Sequence, residues 1–569
     1  MKLFLDTTDN PLPVLDIPAD FYPELSRTNP FLTSEGSQSV PFTIPASRGN
    51  LRKLGFPERL CPEYRPETKR PAILSDGNAW IKGTLYIESV NMLDGITCTF
   101  YTNEGRLYEQ LKGYQLTDIP YDNIGDGLTV DQLMTLFETE VRKTTGKSNV
   151  YAICCAGTDM TFCTQKNTDP DKTNNEVDYK LLLNELLYNE SGQAVLVGHN
   201  ARKYYDGPGE SANEISVPAG YGVTPFLRVK YVLECIFKHL GYIPDLDLFD
   251  KNISLKNLVV LNNVADSCVK DGGVNPSILL PEVTAEEFIS AVRRKFGVEF
   301  IELTNGVITA KTWSEAIDRL ADYEIFPDDN YTINYEDKRG ISMEINNLGD
   351  GNKASYYTDK HTPPAGVEEE SISFADQTPT TGSMTTAYIQ DLVGGNGIPN
   401  MYAWGPNIGT PSHANTQLQI TGEDTDNDPG ERLGIAFCFV PDGIRDEEYL
   451  THKYPVAEGT LRDYDFNFVR WGSFNLFVNE IEGMESIPIF DYSRNLYATF
   501  YTERDRMLQT ANQQIVCNAR IPSHEINSMD VSRPKIINGQ KVLLERIDYV
   551  LGRPDLCQVT ARTLHEMQE

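Results

Sequence analysis

Residues 284–310 carry the clearest hydrophobic pattern in the chain. Thr284 is followed three places later by Glu287, the spacing of a capping box in which each side chain satisfies an orphan amide at a helix start. Phe288, Ile289, Val292 and Phe296 recur at helical spacing, and Gly297 offers a left-handed stop. Val298 to Glu302 then alternates like a half-buried strand. Asn305-Gly306 supplies the positive backbone angles of a tight turn, and 307–310 returns. The pattern predicts a helix followed by a hairpin. Upstream, Thr224-Pro225 reads as an N-cap with proline at the first helical position. Phe226, Val229, Leu233, Ile236, Phe237 and Leu240 then form one apolar stripe, ending at Lys238, His239 and Gly241.

Around this central unit the pattern is mostly of strand type. Residues 1–70 carry Pro11, Pro13, Pro18, Pro23, Pro30, Pro41, Pro45 and Pro57, which forbid long helices, so this stretch is expected to be an extended arm laid over another surface. Residues 71–221 open with strand patterns at 72–74, 80–87 and 95–101, and helices are expected from Asn103 to Leu111 and from Thr129 to Val141. A β-barrel or sandwich with peripheral helices is expected there. Residues 222–320 form the helix–hairpin domain. Residues 321–490 read as a second β-rich domain, with strands at 331–335, 341–345 and 435–440 and an irregular insertion at 347–432 rich in Gly, Pro, Thr, Asn and Asp. The last stretch, 491–569, shows helical spacing in Leu496, Phe500, Met507 and Leu508, then strands at 515–522, 535–537 and 542–549 around the turn Asn538-Gly539. The fold class expected is α+β, β-rich and multidomain, with barrel or sandwich domains flanking a central helix–hairpin unit.

Charge changes this picture more than composition does. Hydrophobic residues make up 40% of the 569 and aromatics 10%, enough for real cores. Fifty Lys and Arg against 82 Asp and Glu give a net charge of −32, which disfavours binding to nucleic acid or to an anionic membrane. The charge does not disfavour a conduit that DNA passes without sticking. The apolar start breaks at Asp6, and no apolar run approaches membrane-spanning length, so a soluble protein made in the cytoplasm is expected. Ten cysteines contain no C-x-x-C pair, and only Cys154, Cys155 and Cys163 cluster, which predicts buried free thiols rather than a zinc site.

Candidate chemistry is sparse. Asp424, Asp426 and Asp428 alternate like the start of a calcium loop, but the glycine comes one place late and position twelve is Ile435. The stretch therefore reads first as an acidic solvated turn, with weak Ca²⁺ binding as the alternative. Asp245, Asp247 and Asp250 follow a helix and read as solvated carboxylates or a second cation site. His524-Glu525 opens like a zinc-protease helix, but Ser528 stands where the second histidine belongs. His199, His239, His361, His413, His452 and His565 lack a spaced partner. The sequence contains no G-x-S-x-G, Walker loop or dinucleotide-binding turn. Tyr357, Tyr388, Tyr402 and Trp404 read equally as glycan or partner contacts and as anchors of an irregular region. No catalytic, cofactor or metal residue is assigned, and no enzymatic activity is expected.

Three segments together resemble the tail or baseplate hub proteins encoded by phages and prophages of gut anaerobes. The first runs from Asn29-Pro30-Phe31-Leu32 through Ser39-Val40-Pro41 and Ile44-Pro45-Ala46-Ser47 to Leu60. The second is Thr224-Pro225-Phe226-Leu227 with Tyr231, Phe237, Leu279-Leu280-Pro281 and Phe296-Gly297-Val298. The third is Ile521-Pro522 with Ile536-Ile537-Asn538-Gly539-Gln540. The resemblance implies a structural virion protein, made in the bacterial host cytoplasm, that joins tail tube to tail tip. It also implies a homotrimeric ring of β-barrel domains, partnered by tube, distal tail and tip or fibre proteins, whose acidic lumen lets DNA slide during ejection. The alternatives are a tail-associated glycan depolymerase or peptidoglycan hydrolase, and a host-glycan-binding tail protein.

Overall fold

The computed structural model describes residues 1–7, 11–33, 38–60, 67–77, 79–102, 111, 113–143, 145–154, 156–166, 176–188, 194–206, 213–303, 306–344, 360–372, 408, 410–412, 431–439, 450–455, 461–466, 497–510 and 513–564. The described chain is α+β, β-rich and multidomain. Its apolar residues gather into three separate buried clusters.

The largest element is a fourteen-stranded, barrel-like sheet that joins the two ends of the chain. Its hydrogen-bonded path starts at Val14–Leu15 and passes through Lys2–Leu5, Lys69–Ser75, Trp80–Asn91, Gly95–Thr102, Gln38–Ser39 and Glu24–Thr28. It then crosses to Gln540–Val550, Arg553–Thr563 and Gln513–Ala519, and ends at Pro327–Tyr335. Phe42–Ile44, Lys535–Ile537 and Glu324–Ile325 join as side branches. The crossing is the antiparallel pair in which Glu24 meets Val550 and Thr28 meets Arg546. Asn29 secures it by donating from Nδ2 to Val531 O (2.9 Å) and Leu544 O (2.8 Å).

Residues 1–70 therefore differ from the expected arm. They do lie across another part of the chain, its own C-terminal strands, but they also build core. Leu3, Leu5, Leu15, Leu25 and Ile44 are all buried in the sheet's cluster. In Lys2–Leu5 the burial alternates, with Leu3 and Leu5 in the core and Phe4 on the other face stacked on Trp80, and Pro13 and Pro18 fall at the edge and in a turn, where proline breaks no ladder. Residues 71–221 also divide. Strands 69–102 belong to the large sheet, whereas 156–217 form three two-stranded hairpins. The helix expected from Asn103 falls, except for Leu111, outside the described residues, while Val130–Arg142 forms with the Thr129–Gln132 capping box in place.

The central unit follows its pattern closely. Ala285–Phe296 is capped by Thr284, whose Oγ1 accepts from Glu287 N at 3.2 Å while Glu287 Oε2 accepts from Thr284 N at 2.8 Å. Gly297 stops the helix at φ +55°, in the left-handed region a side chain rarely adopts. Val298–Leu303 and Val307–Thr312 then pair antiparallel, and Ile243–Asp245 adds a parallel third strand. The upstream helix begins later than the Thr-Pro signal implies. Phe226–Arg228 is a strand between Tyr151–Ala152 and Leu258–Val260, and the helix occupies Val229–His239. Thr224 is buried rather than capping: its N–H donates to Asn184 Oδ1 and its hydroxyl to Asn262 Oδ1. A tertiary ladder has taken the first turn away from the helix.

At the C-terminal end, Lys535–Ile537 and Gln540–Val550 make the expected hairpin, with Asn538 at φ +50° and Gly539 at φ +77°. Arg553–Thr563 extends it by a strand that the sequence pattern did not signal. Among the described residues no helix is long and apolar enough to cross a membrane.

Candidate assembly surface

Charged side chains form three seams: one ties the central unit to the large sheet, one binds the last strands of that sheet to each other, and one joins the helix Thr502–Thr510 to the strand Glu368–Ile372 and to Trp313. Lys311, at the end of the central hairpin, donates to Asp530 Oδ2 (2.6 Å) and Ser532 Oγ (2.7 Å). Lys535, with no exposed surface, donates to Asp322 Oδ1 and to Asp530 O (2.7 Å). Burial pulls the Lys535 ammonium below its ordinary pKa against the opposing pull of Asp322. Burial raises the Asp530 carboxyl, but the Lys311 ammonium and the Ser532 hydrogen bonds outweigh it and hold the pKa low.

The second seam runs along the sheet's last strands. Arg562 holds Glu336 through two nitrogens, at 2.5 and 3.1 Å, and reaches Glu545 Oε1 at 3.2 Å, while Gln514 donates to the other Glu545 oxygen. The fork geometry fixes Glu336, the residue just beyond the terminal strand. The third seam joins Arg504 to Glu370 and lays its guanidinium 4.9 Å from the centre of the Trp313 ring. Beside it, Glu299 pairs with Arg293 at 2.6 Å. Burial pushes that carboxyl up to about 7 even though Arg293 and Arg504 oppose the shift.

The second seam holds the end of a strand whose apolar row is uncovered. Pro327–Tyr335 ends the path of the large sheet and pairs on one side with Gln513–Ala519. Among the described residues no strand pairs with its other side. Tyr331, Ile333 and Tyr335 are 50%, 37% and 75% exposed, and Phe326, just upstream, is 72% exposed. An open, apolar strand edge is a template for pairing with another chain.

The sequence candidates fall elsewhere. Asp247 pairs with Lys251 at 3.0 Å and Asp250 with Lys230 at 2.6 Å, so these two carboxylates face lysines instead of converging. Among the described residues no group of three His, Cys, Asp or Glu side chains is arranged to hold a metal. Asp424, Asp426, Asp428, Tyr357, Tyr388, Tyr402 and Trp404 lie outside the described residues. Cys98, Cys154, Cys268, Cys438, Cys517 and Cys557 are buried free thiols, and Cys235 is a free thiol that is only half-buried; Cys155 lies outside the described residues, as does the side chain of Cys163. His524 reaches no closer than 3.9 Å to Glu525, which instead accepts from the Tyr323 hydroxyl at 2.6 Å.

His199 does have partners, supplied from far along the chain. Its Nδ1 lies 2.7 Å from Glu138 Oε1 and its Nε2 lies 3.1 Å from Asp131 Oδ1, both on the helix Val130–Arg142. Only the imidazolium donates from both nitrogens. Burial lowers the His199 pKa, but these two carboxylates outweigh it and raise the value above the ordinary one. A folded-state pKa raised in this way adds stability that is complete below the unfolded pKa and is lost as pH rises through the folded one. Hydrogen exchange at Leu196 N, which donates to Glu138 Oε1 at 3.1 Å, should therefore speed up beyond its intrinsic pH dependence as pH rises past the ordinary imidazole range and through the raised His199 pKa. His199→Gln should remove that excess; an unchanged pH profile in the variant would contradict the assignment.

No family model matches the chain, and no curated protein matches it. Among solved structures it is similar to the 43 kDa tail protein of prophage MuSo2 from Shewanella oneidensis. The alignment covers 99% of this chain and 98% of that one at 7% identity, with a TM-score of 0.31. A superposition of that quality does not establish a shared fold.

Proposed function

We propose that this chain is a structural component of a phage tail: a hub that joins tail tube to tail tip and lines part of the path along which DNA leaves. The observation that carries this reading is mechanical. The first and last described strands of the chain belong to one sheet, and a seam of buried charge locks that sheet to the central unit. Such a body transmits load between neighbours, and it presents an open apolar edge on which a neighbour can dock. The resemblance in the three sequence segments supplies the biological setting, and a net charge of −32 suits a surface that DNA slides past.

On this reading the protein works as a homotrimeric ring within the virion, alongside tube, distal tail and tip or fibre proteins, and has no catalytic role. The buried carboxylates described above are tied up by lysine, arginine and histidine partners, whereas a hydrolase keeps a carboxylate pair open to substrate. Light scattering on the purified chain, followed by negative-stain averaging, tests the proposal. A three-chain ring with a central hole is the expected result. A monomer that releases reducing sugars or muropeptides from host envelopes would overturn it in favour of a tail-borne hydrolase.

A further inference from the structure

We propose that Pro327–Tyr335 is a docking edge for an extended strand from a different protein, one with alternating apolar residues between basic ends. The inference deepens the hub reading and rests on it only for the source of that strand, a neighbouring tail component.

The pairing register shows what the edge lacks. Directly paired residues of an antiparallel ladder point to the same face. Tyr331 lies opposite Cys517, Ile333 opposite Ile515 and Tyr335 opposite Gln513. Cys517 and Ile515 belong to the buried cluster of the large sheet. The row Tyr331, Ile333 and Tyr335 is therefore the continuation of the core face onto a last strand, and there it stands open to solvent. Thr332 and Asn334 point the other way and are polar, as an outward face should be. A strand added here would gain main-chain hydrogen bonds along its length and would cover the apolar row with its own alternate side chains.

The opposite end of the sheet is built differently. The path ends there at a two-residue strand, Val14–Leu15, with Pro11 and Pro13 beside it, and Lys53 donates to Val14 O. Short length, proline and a covering lysine all guard an edge against pairing. In Pro327–Tyr335 the proline and a register irregularity are confined to the stretch before Tyr331, and Tyr331 to Tyr335 pair in unbroken register with Cys517 to Gln513, with no proline or lysine among them. The fork from Arg562 onto Glu336 also fixes its C-terminal end before any partner arrives, which lowers the ordering cost of docking.

Charge selects the partner. The stretch 324–338 holds Glu324, Asp328, Asp329, Glu336 and Asp337 against a single Lys338. A second copy would bring the same acidic edge, and self-pairing centred on Ile333 would set Asp329 against Asp337. A strand with lysine or arginine at its ends meets no such repulsion and is steered toward the site.

The test uses the full chain and a labelled peptide, Lys-Lys-Val-Thr-Val-Thr-Val-Lys-Lys, read by fluorescence anisotropy. Its control has the same charge but prolines in place of the threonines. The alternating peptide should bind, and binding should fall at least about tenfold, the equivalent of 1.4 kcal/mol, for the proline control and for Tyr335→Lys. Tyr335 is largely exposed, so that variant is expected to fold; Tyr331→Lys is the second variant, and circular dichroism checks both. Equal binding of both peptides would reduce the effect to bulk charge and overturn the inference. So would no binding at about 1 mM, or a dimer in light scattering that Tyr335→Lys splits, which would make a second copy the occupant. A trimeric ring without strand binding would remove this inference and leave the hub; strand binding by a lasting monomer would do the reverse.

Discussion

Replacing Asp322 by alanine is expected to destabilise the junction between the central unit and the large sheet by about 3–5 kcal/mol, the range for removing one member of a buried ion pair. The variant leaves Lys535 without its carboxylate at a position with no exposed surface, holding only the Asp530 carbonyl. Arg533, 3.8 Å from Asp322, loses the same counter-charge and adds like-charge repulsion. The loss should be read as faster hydrogen exchange across Lys535–Ile537 and Gln540–Val550 and as an earlier urea transition. A single global free energy is not defined for a chain with several cores. Two controls fix the cause. Asp322→Ala combined with Lys535→Met should recover most of the loss, because a buried methionine needs no partner. The single variant's deficit should also shrink at alkaline pH, where Lys535, already below its ordinary pKa, sheds its proton. If the double variant is as unstable as the single one, the pair is not what holds the junction.

This seam was invisible in the sequence, and the reason is physical. Lys311, Asp322, Asp530 and Lys535 lie on segments separated by some two hundred residues, and each alone reads as a solvated charge. His199 shows the same limit: its partners stand 61 and 68 residues away, so no spacing rule could find them. What the sequence did carry was local. Thr284 with Glu287, Gly297 and the Asn538-Gly539 turn act within a few residues of themselves, and each does in the fold what its chemistry predicts. Thr224-Pro225 marks where local reasoning stops. The capping signal is genuine, but Asn184 and Asn262 bind the threonine and a neighbouring ladder claims Phe226–Arg228. The joining of both chain ends in one sheet is likewise a long-range fact, so residues 1–70 carried strand alternation without revealing what they pair with.

Phe296→Ala should produce the second large effect, about 3–5 kcal/mol for emptying a buried aromatic site. Phe296 is fully buried, and its ring packs edge-on against Phe437 and Phe500, with centroids 5.8 and 5.7 Å away. It sits at the last position of the helix Ala285–Phe296, where Gly297 turns the chain into the central hairpin. Phe437 belongs to the four-stranded sheet that holds Phe226–Arg228, and Phe500 to the turn that leads into Thr502–Thr510. One side chain therefore joins three pieces that the sequence places more than sixty residues apart at the nearest, and its truncation should loosen all three together. Phe296→Leu keeps part of the volume and should cost markedly less. The variant also separates fold from assembly. The open edge at Pro327–Tyr335 is fixed by Arg562 and Gln513–Ala519, none of which touches Phe296 in the contacts described. Strand binding at that edge should thus survive Phe296→Ala at temperatures where the large sheet stays folded. Parallel loss of both would mean that the central core, rather than the arginine fork, sets the edge in place.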